Sequence, residues 1–398
     1  MRRYFITIIS IVVFAASARA QAPLIVVSGR INISEHAVSR DGTLLVTASI
    51  DDDINVWSLQ TGLLISSFKN KATIYALDVS GDNKMLLVGL GGTRTLQLHE
   101  VMTGKLIRTL PQAHEKPSGI FVSDDKYVYG VNVAGQMITW ETATGRVVQS
   151  NKLKLDGEDA WLLRMGIARS IRWYRSHDRK TVIVVDDKKS EKIRGYIWNI
   201  ATPQGTRELW LPHDDVKAIT NDGKVLAVVP EASRDELRTP ELISSENARL
   251  IRRLEPVPHL IVQTHFSPDG KYMASRLEPS KFEDGTSIAV WDTSTGKLLW
   301  TVTPLKRDYT RNFSLTADGT RIVVESKDAV RIYAVETGRL IATFFHFSAG
   351  GVVTKPSGAL VLSGVRDEVL RDEVGRPLSP DFIRANNNPN GIPNLLAE

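Results

Sequence analysis

From residue 31 onward the chain is written in short apolar runs, rich in β-branched and aromatic residues, each stopped by a turn dipeptide. Ile288-Ala289-Val290-Trp291-Asp292, for example, lies between a polar loop and Thr295-Gly296. Alternation with a period of two over so few residues predicts half-buried strands. Asp-Gly and Thr-Gly supply the positive-φ residues that tight hairpin turns demand. The pattern therefore predicts antiparallel strands joined by short turns, with almost no regular helix after residue 21.

The pattern repeats with a spacing of about 40 to 50 residues, a range typical of repeat folds. The clearest copy runs Phe266-Ser267-Pro268-Asp269-Gly270-Lys271-Tyr272, a strand, a polar loop, Ile288 to Asp292, then Thr295-Gly296-Lys297. An apolar residue stands just before the turn at Val38, Val79, Phe121, Ile219, Phe266 and Leu315, with weaker copies around Asp178 and Ser357-Gly358. The third run ends in an aromatic residue at Trp57, Trp140, Trp198, Trp291 and Tyr333, and a Thr-Gly pair follows most of these. Each unit reads as a four-stranded antiparallel sheet. One such sheet cannot bury its own faces, so the units must stack.

These motifs resemble those of the WD40 family over roughly residues 31 to 375, and the resemblance implies an all-β fold, a β-propeller of four-stranded antiparallel blades. Eight units are counted, and seven is the commoner number in that family. Trp291-Asp292 is the one literal Trp-Asp pair. The family's Gly-His before the first strand is missing, with His114, His213 and His259 the nearest candidates, a departure that bears on the family's side-chain hydrogen-bond tetrad. Leu24 to Ser28 reads as an extra strand that joins the last unit, so the two chain ends are expected to close one domain over 21–380. Residues 381–398, rich in Asn and Pro, are expected to be an irregular or disordered tail.

Residues 1–20 change the picture of where the chain works. Arg2 and Arg3, an apolar run from Ile6 to Ala16 and Ala18-Arg19-Ala20 form a cleavable secretory signal, and the apolar run is too short for a membrane span. A soluble, monomeric periplasmic or extracellular protein is the expectation. Loss of three signal arginines lowers the formal charge from +5 to +2, too weak a balance to imply nucleic acid. With no cysteine, packing and strand pairing alone must stabilise the fold, and thiol catalysis and Cys-ligated metals are excluded.

Candidate chemistry is sparse. Gly89-Leu90-Gly91-Gly92 falls between strands and reads as a hairpin turn, Asp51-Asp52-Asp53 as a solvated turn, and the eight histidines show no ligand spacing. No catalytic, cofactor or metal residue is assigned. The second-to-third-strand loops of three units are long, 188–194, 231–239 and 278–286, as are the connections 156–166 and 255–260. Insertions on one face of a repeat array mark its binding side. Trp161, Arg164, Arg172, Trp173, Tyr174 and Arg175 supply there the arginine-aromatic composition of interface hot spots and are the expected partner-binding residues. Arg175 holds the register of Val38 and Phe266, where it would be desolvated; a one-residue slip would instead return it to solvent.

The function expected is a non-catalytic scaffold of the cell envelope that docks a protein or peptide. The alternatives are an exported propeller enzyme or a carrier of a quinone or haem, and a binder of cell-wall glycan.

Overall fold

The computed structural model describes residues 26–27, 31–91, 95–111, 118–121, 125–131, 136–152, 171–178, 180–186, 192–199, 207–212, 214–230, 237–279, 285–302, 310–327, 329–348, 350–365, 370–371 and 376–396. The first repeat forms β2 (Ile33–Val38), β3 (Leu44–Ser49), β4 (Asp53–Ser58) and β5 (Leu64–Lys69), paired in that order. The same four-stranded antiparallel meander recurs as β6–β9 (74–110), β10–β13 (118–152), β14–β17 (171–212), β18–β21 (214–253) and β22–β25 (260–302).

The seventh sheet is larger. After β26 (Thr310–Leu315), β27 (Arg321–Ser326), β28 (Val330–Ala334) and β29 (Leu340–Phe347), the chain adds β30 (Gly350–Thr354) and β31 (Leu360–Ser363) to the same sheet. The eighth unit expected around Ser357-Gly358 is therefore a hairpin on the edge of the seventh, held by Phe347↔Gly350 through Thr343↔Thr354. Gly351 makes this possible: a Cβ there would lie 2.0 Å from Trp57 Cη2, so β30 can lie against that indole only where that side chain is absent. β1 (Val26–Val27), inside the extra strand expected at the N-terminus, pairs with β32 (Leu370–Arg371) in a two-stranded sheet separate from the last unit.

The tight turns share one construction. Ser39, Ser80, Ser176, Thr220, Ser267 and Thr316 each donate their hydroxyl, over 2.6 to 2.7 Å, to the Asp two residues on. The same hydroxyl accepts from a backbone N–H five residues ahead, as at Leu44 and Tyr272. These bonds to the ionised carboxylate hold Asp41, Asp82, Asp222, Asp269 and Asp318 below the usual carboxylate range, against the opposing effect of burial.

The core is divided among the interfaces between sheets. Ala37, Val46, Val56, Leu86 and Val88 fill the space between the first and second sheets. Ile33, Leu45 and Trp57 of the first meet Val323, Ile332 and Phe344 of the seventh. The seventh sheet thus packs against the first. Parallel clusters join the second to the third, the fourth to the fifth, and each later sheet to the next.

One hydrogen-bond chain crosses the junction of the seventh and first sheets. Trp57 Nε1 donates to Thr47 Oγ1 over 3.0 Å, and Thr47 Oγ1 lies 2.9 Å from His346 Nδ1. All three side chains are buried, and burial pushes the imidazole of His346 down to about 4. The histidine comes from the end of β29, not from any of the candidates expected ahead of the first strands. Thr47→Val keeps the volume and removes the hydroxyl, leaving a buried indole N–H and a buried imidazole nitrogen unpaired. It is expected to lower stability by about 2 to 4 kcal/mol in urea unfolding.

The tail, expected to be irregular or disordered, is helical in its first part and irregular beyond it. Pro380–Asn386 forms a short helix, α1, capped by Ser379. Beyond it, Ile392 N–H and Leu395 N–H donate to Thr61 and Gln60 of the first sheet, and the Leu395 side chain is fully buried. Ile392 and Leu395, with Leu396 packed beside them, seat the segment on the core shared by the first and seventh sheets. Among the described residues, no helix is long and apolar enough to cross a membrane.

Candidate functional site

The first strands of the units converge on a cavity of about 540 Å³ at their turn ends. β2 contributes His36, β6 (Ile74–Val79) Asp78, and β14 (Ile171–Arg175) Arg175, with His177 and Lys180 in the turn beyond. β22 (Leu260–Phe266) brings Gln263 and His265, and β26 brings Asn312 and Ser314. One register places them all, because the residue before each turn pairs with the second residue of the next strand after its turn: Val38↔Leu45, Val79↔Leu86, Arg175↔Val182, Phe266↔Met273 and Leu315↔Ile322.

Arg175 therefore occupies the apolar register, and the slip does not occur. Its expected desolvation is overturned. Val38, Val79, Ile219, Phe266 and Leu315 are buried, whereas Arg175 is exposed and lines the cavity, because its longer side chain does not end between the sheets as the shorter apolar ones do.

Of the other expected partner-binding residues, Tyr174 alone has a described side chain. Trp161 and Arg164 lie outside the described residues, as do the side chains of Arg172 and Trp173. Tyr174 is half-buried against the core between the fourth and fifth sheets. The long loops also lie largely outside the described residues, and they leave the far ends of the strands: Ile171 pairs with Asp186 beside residues 187–191, while Arg175 sits at the tight turn.

Polar side chains on the cavity wall are held in fixed pairs. His36 Nδ1 lies 2.7 Å from Glu325 Oε2 and its Nε2 lies 3.0 Å from Ser314 Oγ. The Gln263 amide donates to Asn312 Oδ1 over 2.6 Å and lies 3.0 Å from His265 Nε2. Burial first, then the positive charge of Arg175 and the neighbouring His177 and His36, holds the His265 imidazole well below its ordinary range. The turns around the opening are tied to one another as well. Asn83 donates to Asp41, Gly81 N–H to Asp125, Asn221 Nδ2 to Pro268 O, and Asp178 N–H to Asn221 Oδ1. Arg40 adds an ion pair to Asp125 at 3.2 Å.

Behind the wall, burial and the nearby Glu325 push the Glu35 carboxyl up to about 8, partly opposed by Arg311. A carboxyl raised in the folded state stabilises the fold below its unfolded value of 4.5, and that contribution is lost as pH rises through about 8. Glu35→Gln is therefore expected to match the parent near pH 4 and to exceed it by about 2 kcal/mol near pH 9, as measured by urea unfolding at the two pH values.

Comparison with known proteins agrees at the level of architecture. No protein-family model matches the chain. It is 26% identical over 128 residues to eukaryotic translation initiation factor 3 subunit I of Phaeosphaeria nodorum, a match over 29% of this chain that spans only 38% of that protein's length. Hydrazine synthase of Kuenenia stuttgartiensis is a structural neighbour with TM-score 0.57 and 15% identity, covering 78% of this chain and 97% of that chain. At that identity the likeness is one of fold alone. The chain is an all-β protein of antiparallel four-stranded sheets in a propeller-like arrangement.

Proposed function

We propose that the chain is an exported, non-catalytic docking scaffold of the cell envelope: a seven-bladed propeller, sealed by the packing of the seventh sheet on the first, that presents a protein or peptide partner with a rigid face. The observation that carries this is how the recurring polar groups are used. The turn hydroxyls and aspartates, and the indoles of Trp57, Trp140 and Trp291, are all engaged in hydrogen bonds that hold the sheets and turns. What they create is a ring of turns fixed to its neighbours around a concave polar opening, and a preorganised surface loses little entropy on binding. The curated relative, a subunit of an initiation factor, is by its name part of an assembly.

The test is capture followed by mapping. The chain from Gln21 onward is immobilised, exposed to an envelope extract, and the stoichiometric complex is analysed by hydrogen exchange. Protection concentrated on either end of the strands supports docking. A chain that retains no partner, or that purifies with visible absorbance and turns over a substrate, overturns it. An N-terminus at Gln21 in an extracytoplasmic fraction is the expected result for export.

A further inference from the structure

Three side chains on and behind the cavity wall are arranged in a way that fastening the sheets does not require. The pairing Asn312↔Glu325 puts Asn312, Ser314 and Glu325 on one face of the seventh sheet, the face of Val323, whose side chain packs in the core shared with the first sheet. His36 of β2 reaches two of them. Its Nδ1 lies 2.7 Å from Glu325 Oε2 and its Nε2 lies 3.0 Å from Ser314 Oγ. An ionised carboxylate can only accept, so in the neutral ring Nδ1 carries the proton and Nε2 accepts from the Ser314 hydroxyl. The negative charge of Glu325 registers on its neighbour, since burial and then that charge push the Glu35 carboxyl up to about 8. The side chains of His36 and Glu325 are both buried. Among the described residues Oε2 bonds to His36 alone and Oε1 has no hydrogen-bond partner, so the buried charge acts mainly on the ring. It thereby favours the imidazolium that forms when Nε2 takes up a proton.

A serine hydroxyl is a weak nucleophile by itself and is activated by a base that a third group orients. Carboxylate, imidazole and hydroxyl stand here in that order. Ser314 is half-buried and lines the cavity with His36, so its oxygen can be reached from that space. Asn312, two residues away on the same face of β26, lines it too. Its Oδ1 accepts from the Gln263 amide and the Phe313 N–H, while its Nδ2 makes no hydrogen bond among the described residues. One amide donor is therefore free for a carbonyl oxygen that gains charge under attack. The volume of about 540 Å³ is that of a small-ligand site. From this geometry we propose that Ser314 is an activated nucleophile and the cavity an acylation site for a small ester or thioester, with His36 as the base, Glu325 as a positioning residue and Asn312 as the donor to the acyl oxygen. Ser314 Oγ bonds to the acyl carbon as its proton passes to His36 Nε2, and the carbonyl π pair moves onto the oxygen. That pair returns as the bond to the leaving oxygen or sulfur breaks, and the leaving group departs with the proton from Nε2. The products are O-acyl-Ser314 and a free alcohol or thiol. One acylation per chain is a modification and not turnover, so the site goes beyond the docking role and stands without it.

The experiment uses the full chain from Gln21 and two probes, p-nitrophenyl acetate and an alkyl fluorophosphonate, with the modified residue mapped by mass spectrometry. Both are expected to label Ser314, the ester with a burst of about one equivalent of p-nitrophenolate. Unfolding the parent in urea before labelling is expected to abolish the reaction at Ser314, and Ser314→Ala is expected to lose the burst. His36→Gln is expected to slow labelling about a hundredfold or more, as loss of a general base does, with the near-ultraviolet circular dichroism unchanged. Glu325→Gln is expected to slow it about tenfold or more while reaching the same final stoichiometry, a split that a loss of folded protein does not give. Should the buried variants fold poorly, native against urea-unfolded parent still decides. Failure of both probes to label Ser314 in the native parent, equal labelling of native and unfolded chains, or undiminished labelling in a folded His36→Gln variant overturns the proposal. Release that continues past one equivalent and is abolished by Ser314→Ala upholds the nucleophile and overturns instead the non-catalytic docking role.

Discussion

Among the described glycines, Gly351→Ala is expected to be the most damaging addition of a single methyl. The new Cβ would stand 2.0 Å from Trp57 Cη2 and 2.6 Å from the Phe345 carbonyl oxygen, and neither neighbour can yield. The indole is fully buried, edge-on to Phe344 at 5.8 Å, and anchored by its bond to Thr47. The carbonyl belongs to β29, whose pairing with β30 fixes the spacing. Overpacking of this kind typically costs about 1 to 3 kcal/mol, and the lost strand pairing adds to it, so a total of about 4 kcal/mol is expected. Thermal unfolding checks this, with Gly358→Ala as a poor control because that turn needs positive φ, and Gly195→Ala as a better one because its nearest neighbour is a side-chain methyl at 3.3 Å.

Leu395→Asp is expected to release the tail. The native side chain is fully buried beside Gly62 and Val353, and the segment around it is held by Lys355 Nζ to the Leu395 carbonyl at 3.0 Å and Arg321 Nη2 to the Leu396 carbonyl at 2.8 Å. An ionised carboxylate there has no partner of its own, so the segment leaves rather than bury it. The loss is bounded by the net docking energy of the segment, to which burial of Ile392 and Leu395 contributes roughly 3 to 6 kcal/mol against the entropy of ordering the chain. A chain ending at Asn386 is expected to be destabilised equally. A deficit for Leu395→Asp much larger than that of the shortened chain would mean that the carboxylate stays inside.

The repeat was legible because each unit writes its turns locally. Asp-Gly at the first hairpin and Thr-Gly at the third are short-range chemistry, and the residue before each turn falls in the expected register in every described unit, including Arg175. The Ser or Thr two residues before each Asp carried as much information and is visible in the sequence as Ser267-Pro-Asp269 or Thr316-Ala-Asp318. Contacts between distant segments were not legible. His346 and Thr47 are joined across 299 positions, and nothing near either residue announces the other. Periodicity placed Arg175 on the correct face of its strand, yet it could not tell that this end of the strand opens on a cavity. The hairpin β30–β31 shares the turn chemistry of a new unit, and only Gly351, lying against Trp57, distinguishes an added edge from a separate sheet. Composition pointed to an irregular end, and what it could not announce is that Ile392 and Leu395 seat that end on the first sheet.

The junction of the first and seventh sheets also sets an order of events in time. It is held by His36 with Glu325, 289 positions apart, by Arg311 with the Ile33 carbonyl, and by the Thr47–His346 bond. During synthesis the first sheet emerges before the others, and one flank of it, with Ile33, Leu45 and Trp57, stays uncovered until β29 arrives some 300 residues later. Closing so long a loop is entropically slow and cannot be rewarded early. The exposed flank of the first sheet is consequently the surface most open to misassembly and to chaperone capture in the nascent chain, and the docking of the seventh sheet is the step whose rate decides how long that window lasts.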